Sequence, residues 1–295
     1  MSHIPVLLQE VLQVLSPLPG EFFIDGTLGG GGHAEAILEK IGSSGKLLAI
    51  DWDREAVESF ERKAQRAKSK VIAVNDNYAN IKKIMEERNL GKADGLLLDL
   101  GFSSDQVAHG KGRGFSFQND EPLLMTYSDE HTPVRELLRR MSASELTRVI
   151  KEYGEERYAG RIAKAIVDAG RKQKIETTGA LAEIIRNAVP KNYEHGRIHP
   201  ATRTFMALRI YTNHELENLT KVMNDLPAFL NSGARVAIIS FHSLEDRLVK
   251  QRFKEYAKEG KVTLLTKKPI SPTLEERARN FKSRSAKLRA LQLIS

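Results

Sequence analysis

The densest chemical signal in the chain is the run Asp25-Gly26-Thr27-Leu28-Gly29-Gly30-Gly31-Gly32-His33. It follows the apolar stretch Phe22-Phe23-Ile24 and precedes a helix-forming stretch from about His33 to Ile41. Glycine lets a ligand approach the backbone, and the first turn of a helix offers unpaired N–H groups. Gly29, Gly31 and Ala34 satisfy a G-x-G-x-x-A spacing, and Asp51 stands 22 residues after Gly29, as in nicotinamide-dinucleotide sites. Asp25 argues the other way. A carboxylate ahead of the loop repels a pyrophosphate but attracts the ammonium of a methionine moiety. Asp51 can accept from ribose hydroxyls in either case, or simply cap the next helix, a task Asp53 can also perform. The balance favours S-adenosylmethionine, and a nicotinamide-dependent oxidoreductase remains as the alternative.

Two more apolar runs end in chemically useful residues. Val71–Val74 leads to Asn75-Asp76-Asn77-Tyr78, where Tyr78 either stacks on an adenine or joins the core. Leu96–Leu98 leads to Asp99-Leu100-Gly101-Phe102. Ligands of open α/β sheets sit beyond the carboxyl ends of the strands, which puts Asp99 at the reactive end of the cofactor. An acceptor there can orient a conjugated exocyclic amine toward a methyl donor, with Phe102 stacking on the base. The D/N-P-P-Y/F pattern of amino-methyltransferases is met only at its first and fourth positions. A buried capping Asp is the other reading of Asp99.

The elements that must hold these residues alternate. Strands are expected at 21–25, 46–51, 71–74 and 95–99, with helices between them at about 33–41, 54–67 and 81–88. Apolar runs without alternation, joined by helices, predict a parallel sheet covered on both faces. The fold class is therefore α/β, a doubly wound Rossmann-like domain. Residues 103–133 lose the pattern. From about 133 to 189 only helices are expected, one closed by Gly154, one over 155–168 closed by Gly170, and one closed by Pro190. Alternation resumes with a long helix at about 201–230, a turn at 231–233, a strand at 234–241, a helix at 243–258, and strands at 261–266 and 288–294. The chain is thus expected to be a discontinuous α/β domain, 1–107 and 200–295, carrying a helical insert at 108–199.

Composition narrows the function classes. The 295 residues carry a formal charge of +8, with 41% hydrophobic residues and no Cys, so disulfides, thiol nucleophiles and Cys-bearing zinc sites are excluded. No apolar run reaches 18 residues, and Met1–Leu12 lacks the basic start of a signal peptide. An intracellular, cytoplasmic protein without a membrane partner is expected. The charge is uneven. Residues 1–100 hold 12 basic against 15 acidic residues, and 201–295 hold 18 against 9. From Arg277 onward there are six basic residues and no acid, which reads as a nucleic-acid surface or as a solvated helix.

Further candidates touch substrate or serve structure. Arg203 and Arg209 can fork onto phosphate or pair with nearby acids. His242, after the strand at 234–241, can face a ligand, while Ser243 is expected to cap the following helix. Arg113, Phe115 and Phe117 can stack on unpaired bases or anchor their loop. His3 can fold over the site or belong to a mobile terminus. No H-E-x-x-H spacing points to a metal, and no G-x-S-x-G elbow to a hydrolase.

Seven motifs stand in order: DGTLGGGGH (25–33), LLDLGFSS (97–104), RGFSF (113–117), YGEER (153–157), HPATRTF (199–205), ISFHSLEDR (239–247) and RSAKLR (284–289). With them, essentially the whole chain resembles the RsmH/MraW family of bacterial ribosomal RNA methyltransferases. The resemblance implies a Rossmann-like, S-adenosylmethionine-dependent domain with an inserted helical substrate-recognition domain. It implies methyl transfer to N4 of a cytidine in the decoding region of small-subunit ribosomal RNA, with that RNA or the assembled small subunit as partner. Carried over residue by residue, Gly31, Gly32, His33, Asp51, Tyr78, Asp99 and Gln106 contact the cofactor, and Gln106 comes from the resemblance alone. The chain departs from the family pattern where Leu124 and Thr126 replace an Asp and an Arg, and where Asn280-Phe281-Lys282 replaces N-P-R. A third reading, a non-catalytic RNA-binding assembly factor, shares the same motifs.

Overall fold

A computed structural model of the protein describes residues 5–66, 70–101, 112–196 and 198–294. It divides into two compact units, Met1–Ser104 with Leu216–Ser295, and Asp105–Glu215.

The first unit is built on one seven-stranded sheet. Its strands are β1 (Phe22–Asp25), β2 (Lys46–Asp51), β3 (Val71–Asn75), β4 (Ala93–Asp99), β5 (Leu230–Ser240), β6 (Val262–Leu264) and β7 (Lys287–Leu293). They lie in the order β3-β2-β1-β4-β5-β7-β6. The helices are α1 (Leu8–Leu15), α2 (Gly32–Ile41), α3 (Arg54–Arg66), α4 (Ile81–Glu87), α10 (Glu215–Phe229), α11 (Ser243–Lys258) and α12 (Leu274–Arg279). The strands show no polar alternation because both faces are buried. Phe22, Ile24, Leu48, Ile50, Leu96 and Leu98 enter one core. Phe23, Leu47, Ala49 and Leu97 enter the core on the opposite face. This is the α/β Rossmann-like class expected.

Some expectations need correcting. β7 runs antiparallel to both β5 and β6, so the sheet is mixed rather than wholly parallel. The turn expected at 231–233 lies inside β5, where pairing with β4 shifts register between Ala93 and Gly95 and Gly233 takes a positive φ of 79°. That irregularity absorbs the Asn-Ser-Gly signal.

The second unit contains α5 (Val134–Arg140), α6 (Ala143–Gly154), α7 (Ala159–Lys172), α8 (Thr178–Ala188) and α9 (Ala201–Asn213). Leu146, Ile150, Ile162, Ile166, Leu181 and Ile185 form its core. Ser142 and Glu145 make a reciprocal capping box at the start of α6, a strong local start signal. The helix expected at 155–168 begins at Ala159 and passes through Gly170 to Lys172. A single glycine costs a helix about 1 kcal/mol and need not end it.

The helix expected at 201–230 is two helices. Asn213 Nδ2 donates to the carbonyls of Arg209 (2.9 Å) and Met125 (2.8 Å), which pins the end of α9. His214 turns left-handed with φ 53°. Arg209 closes the corner with two bonds to Glu215, at 2.8 and 2.9 Å. Phe205 and Leu208 of α9 belong to the helical core. The second unit accordingly ends at Glu215, not at 199.

Candidate active site

The parallel strands of the first unit end on one edge in polar residues. Asp51 of β2 stands beside Asn75 of β3, and Asp99 of β4 beside Ile239, one residue short of Ser240 at the end of β5. Asp25 closes β1 between β2 and β4. Chain order runs outward from β1 in both directions, toward β2-β3 and toward β4-β5, so β1 and β4 flank a topological switch point.

The loop after β1 is tied to both neighbours. Gly26 N–H donates to Leu97 O (3.0 Å) and Leu28 N–H to Ile50 O (2.9 Å). Thr27 Oγ1 accepts the N–H of Asp99 at 2.6 Å. The glycine turn therefore continues the ladder on either side before α2 begins at Gly32.

Each sequence-predicted cofactor residue of this unit that is described lies on that edge. Asp51 accepts from Gly29 N–H (2.7 Å) through Oδ2 and from Asp53 N–H (2.9 Å) through Oδ1. Asp53 in turn accepts from Glu55 N–H (2.9 Å), so Asp53 is the cap of α3 and Asp51 is not. A carboxylate has about four acceptor positions, which leaves Asp51 capacity for a diol. Burial pushes its carboxyl up, against the backbone N–H groups that hold it down. His33 is buried in the first turn of α2, with Nε2 3.7 Å from Asp99 Oδ2. Tyr78 opens a short 3-10 turn and packs against the core beside Gly26. Gln106, Phe102 and His3 lie outside the described residues.

Gly31 and Gly32 have a structural reason that sequence reading missed. Gly31 takes φ 79°, and a Cβ there would stand 2.7 Å from the Phe60 ring. A Cβ on Gly32 would stand 2.3 Å from Pro5 Cγ. Both glycines admit the protein's own side chains, from positions 29 and 27 residues away in sequence. No local pattern signals such contacts.

The remaining candidates prove largely engaged. His242, not Ser243, caps α11. Its Nδ1 accepts from Glu245 N–H at 3.4 Å, and the Glu245 carboxylate accepts from His242 N–H at 3.3 Å. In the second unit, Arg203 pairs with Glu194 at 3.0 Å. Arg209 is held by Glu215, so the phosphate-gripping reading of Arg209 gives way to a corner clamp. Arg113 donates to Thr126 O (3.1 Å) and meets Asp129 (3.2 Å). Phe115 stacks on Tyr127 at 5.2 Å, and Phe117 stacks on His199 at 4.5 Å and meets Phe205 edge-on at 5.1 Å. Both rings also pack against the helical core, as loop anchors do.

Asp25 identifies what the edge can hold. It is 1% exposed. Its Oδ1 accepts from Thr27 N–H at 3.1 Å, while Oδ2 is buried without a partner among the described residues. Burial pushes the carboxyl up to about 7, and the Asp51 charge adds to this. A buried acceptor with no donor is costly unless a ligand supplies one. The acids Asp25, Asp51 and Asp99 together suit a cationic, ribose-bearing ligand and repel a pyrophosphate. The profile of the MraW methylase family matches residues 1–294.

The chain belongs to the MraW methylase family.

Within this family, relatives named ribosomal RNA small subunit methyltransferase H extend over nearly the full length. The protein of Syntrophotalea carbinolica is 42% identical over 99% of this chain and 98% of its own. That of Clostridium botulinum is 41% identical over 99% of each. That of Halothermothrix orenii is 41% identical over 100% of this chain and 99% of its own. Among solved structures, a SAM-dependent methyltransferase from Aquifex aeolicus is a distant likeness, 10% identical over 98% of this chain and 90% of that one, with a TM-score of 0.44. As a MraW methylase the chain takes S-adenosylmethionine as its methyl donor. The acceptors present fit that group: the unpartnered, buried Asp25 Oδ2 suits an ammonium, and the remaining acceptor capacity of Asp51 suits a ribose diol. Among the described residues, no helix is long and apolar enough to cross a membrane.

Proposed function

We propose that this MraW methylase transfers a methyl group to N4 of a cytidine in the decoding region of small-subunit ribosomal RNA. The near full-length relatives named ribosomal RNA small subunit methyltransferase H support RNA of the small subunit as substrate. The observation that carries the chemistry is Asp99. It ends β4 at the switch point, its backbone is bonded to the glycine turn through Thr27, and its carboxylate faces His33. Bound S-adenosylmethionine supplies a methyl on a sulfonium, a good leaving group.

What the chain must add is orientation. The N4 lone pair of cytosine is conjugated with the ring. Asp99 accepts from an amino hydrogen, which turns the remaining electron density toward the methyl. The amine becomes more acidic as it is alkylated, so its proton is lost late, and Asp99 with His33 stands ready to take it. The helical unit Asp105–Glu215 serves as the substrate-recognition domain, with Arg113 and Arg203 exchanging their carboxylate partners, Asp129 and Glu194, for RNA phosphates, and Phe115 and Phe117 anchoring the loop beside Arg113. The cytoplasm, where ribosomal RNA is assembled, is the compartment that goes with this reading.

Incubation of small subunits from a modification-deficient strain with methyl-labelled cofactor, followed by nucleoside mass spectrometry, tests the reading. Label in N4-methylcytidine is expected. Label in any other nucleoside, or none on either naked RNA or assembled subunits, would overturn it. Asp99→Ala should lower turnover by about a hundredfold, the scale of a misoriented reactant.

A further inference from the structure

The C-terminal segment from Lys267 to Arg289 carries eight Lys and Arg against two Glu. Both acids are committed. Glu275 pairs with Arg279 at 2.6 Å, and Glu276 accepts the backbone N–H of Leu7 at 2.8 Å. Arg279 is thereby paired, and Lys287 and Arg289 are paired with Asp246, which leaves Lys267, Lys268, Arg277 and Arg284 as basic residues without a carboxylate partner among the described residues. Two large apolar side chains stand out on the segment, Leu274 at 82% exposed and Phe281 at 72%.

The surroundings of Phe281 are well anchored. The residue opens a 3-10 turn, Phe281–Ser285, directly after α12. Ser283 in that turn is wholly buried, and its Oγ donates to Asn280 O at 2.8 Å. Ala286 is buried, and β7 follows at once. There, Lys287 and Arg289 bond to the Asp246 carboxylate at 3.1 and 2.7 Å, and both hold it below the usual carboxylate range. Thr273 caps α12 by accepting from Glu276 N–H. The backbone on either side is thus held from below, while the Phe281 ring projects outward. The guanidinium of Arg284 lies over that ring, 4.1 Å from its centroid.

An exposed ring costs solvation free energy and buries nothing. A cation on an exposed ring, on a segment that also carries the unpaired basic residues Lys267, Lys268 and Arg277, is an arrangement on which unpaired nucleobases stack while phosphates are neutralised. We propose that Phe281 and Arg284 form a stacking site for an unpaired base of the RNA substrate, with Lys267, Lys268 and Arg277 meeting its phosphates. The proposal rests on the RNA reading above and adds to it a second point of contact, on the sheet-bearing unit and outside the strand-end site. It requires a single-stranded element, because the bases of a duplex present no free face to a ring.

The test uses the full-length protein and fluorescence anisotropy with two probes, a 12-nucleotide single-stranded oligocytidylate RNA and a 12-base-pair RNA duplex. Phe281→Ala should weaken single-strand binding by about fivefold to a hundredfold, the range of one base–aromatic stack, with an unchanged salt slope and little change on the duplex. Phe281→Trp should restore binding. Arg284→Ala should weaken both probes and reduce the salt slope by about one. Thermal melting and calorimetry with S-adenosylmethionine should match wild type in all three variants. Equal single-strand affinity of folded Phe281→Ala and wild type would overturn the stacking site, as would an equal loss on both probes. Loss of binding to intact small subunits with naked RNA unaffected would instead make it a protein contact and also overturn it. Failure of the wild type to bind either RNA would strike the RNA reading itself, which separates the two.

Discussion

Replacing Asp25 by Asn should stabilise the protein and weaken its cofactor binding at once. Asp25 is buried, with one carboxylate oxygen unpartnered among the described residues, and burial pushes its carboxyl up to about 7, well above the ordinary range of an aspartate. In the unfolded chain it ionises at the ordinary value, so between about pH 4 and 7 the folded state binds more protons and stability falls as pH rises. A displacement of about three pH units corresponds to about 4 kcal/mol, fully developed above pH 7 and absent below pH 4. Asn keeps the acceptor for Thr27 N–H and carries no charge to bury. Denaturant unfolding of the ligand-free protein should therefore show the variant level with wild type near pH 4 and more stable by up to about 4 kcal/mol at pH 7.5.

Binding should respond in the opposite sense. An ammonium beside Asp25 needs the ionised carboxylate. In the free protein that form is about one in eleven at pH 6 and one in two at pH 7, so the Kd of wild type should fall about fivefold over that unit. The α-amino group of the ligand stays protonated across this window. About nine tenths of a proton should be released per binding event at pH 6 and about half at pH 7. Calorimetry in buffers of different ionisation enthalpy measures both quantities. Asp25→Asn should flatten the pH dependence, abolish the proton release and bind more weakly at pH 7.5. A variant that keeps the wild-type pH limb, or that is destabilised at pH 7.5, would refute the reasoning.

Other substitutions probe the rest of the framework. Asp51→Ala should weaken S-adenosylmethionine binding by about a hundredfold in calorimetry, the loss of hydrogen bonds to a charged acceptor; unchanged affinity would remove Asp51 from the cofactor site. Gly32→Ala should cost about 1–3 kcal/mol in denaturant unfolding, because its Cβ would meet the Pro5 ring at 2.3 Å. Gly170→Ala is its control: it lies within α7 with nothing inside 4 Å, and should raise stability by about 0.5–1 kcal/mol. Glu215→Gln should destabilise the helical unit by about 3 kcal/mol, since Arg209 and Glu215 side chains are each only 11% exposed and a buried pair is costly to break from one side.

Much of the site was legible because each part of it sits at the end of a local pattern. A short apolar run followed by glycine or by an acid marks the end of a strand, and in a doubly wound sheet strand ends are where ligands bind. That reasoning reaches the glycine loop, Asp51, Tyr78 and Asp99 from neighbouring residues alone. It does not reach the cap of α11, because a His cap and a Ser cap differ by one position and only the fold of Glu245 back onto His242 chooses between them. Nor does it reach the break at His214. Residues 201–230 carry a continuous helical pattern, and the turn is imposed by Met125, 88 residues away, accepting from Asn213.

The sequence by itself determined the alternation of strands and helices, the helical stretch between them, the family, and the acids that end the parallel strands. These follow from short-range periodicity, turn chemistry and ordered motifs. Tertiary structure alone decided what each of those groups is free to do. It buried one oxygen of Asp25 without a partner among the described residues, gave Asp53 the cap so that Asp51 keeps acceptor capacity, engaged Arg203 and Arg209 with carboxylates, set β7 antiparallel, and left Phe281 in the open beside the buried Ser283. The reason is common to all five. Whether a side chain is desolvated, paired or exposed depends on atoms contributed from distant parts of the chain, and local spacing carries no record of them.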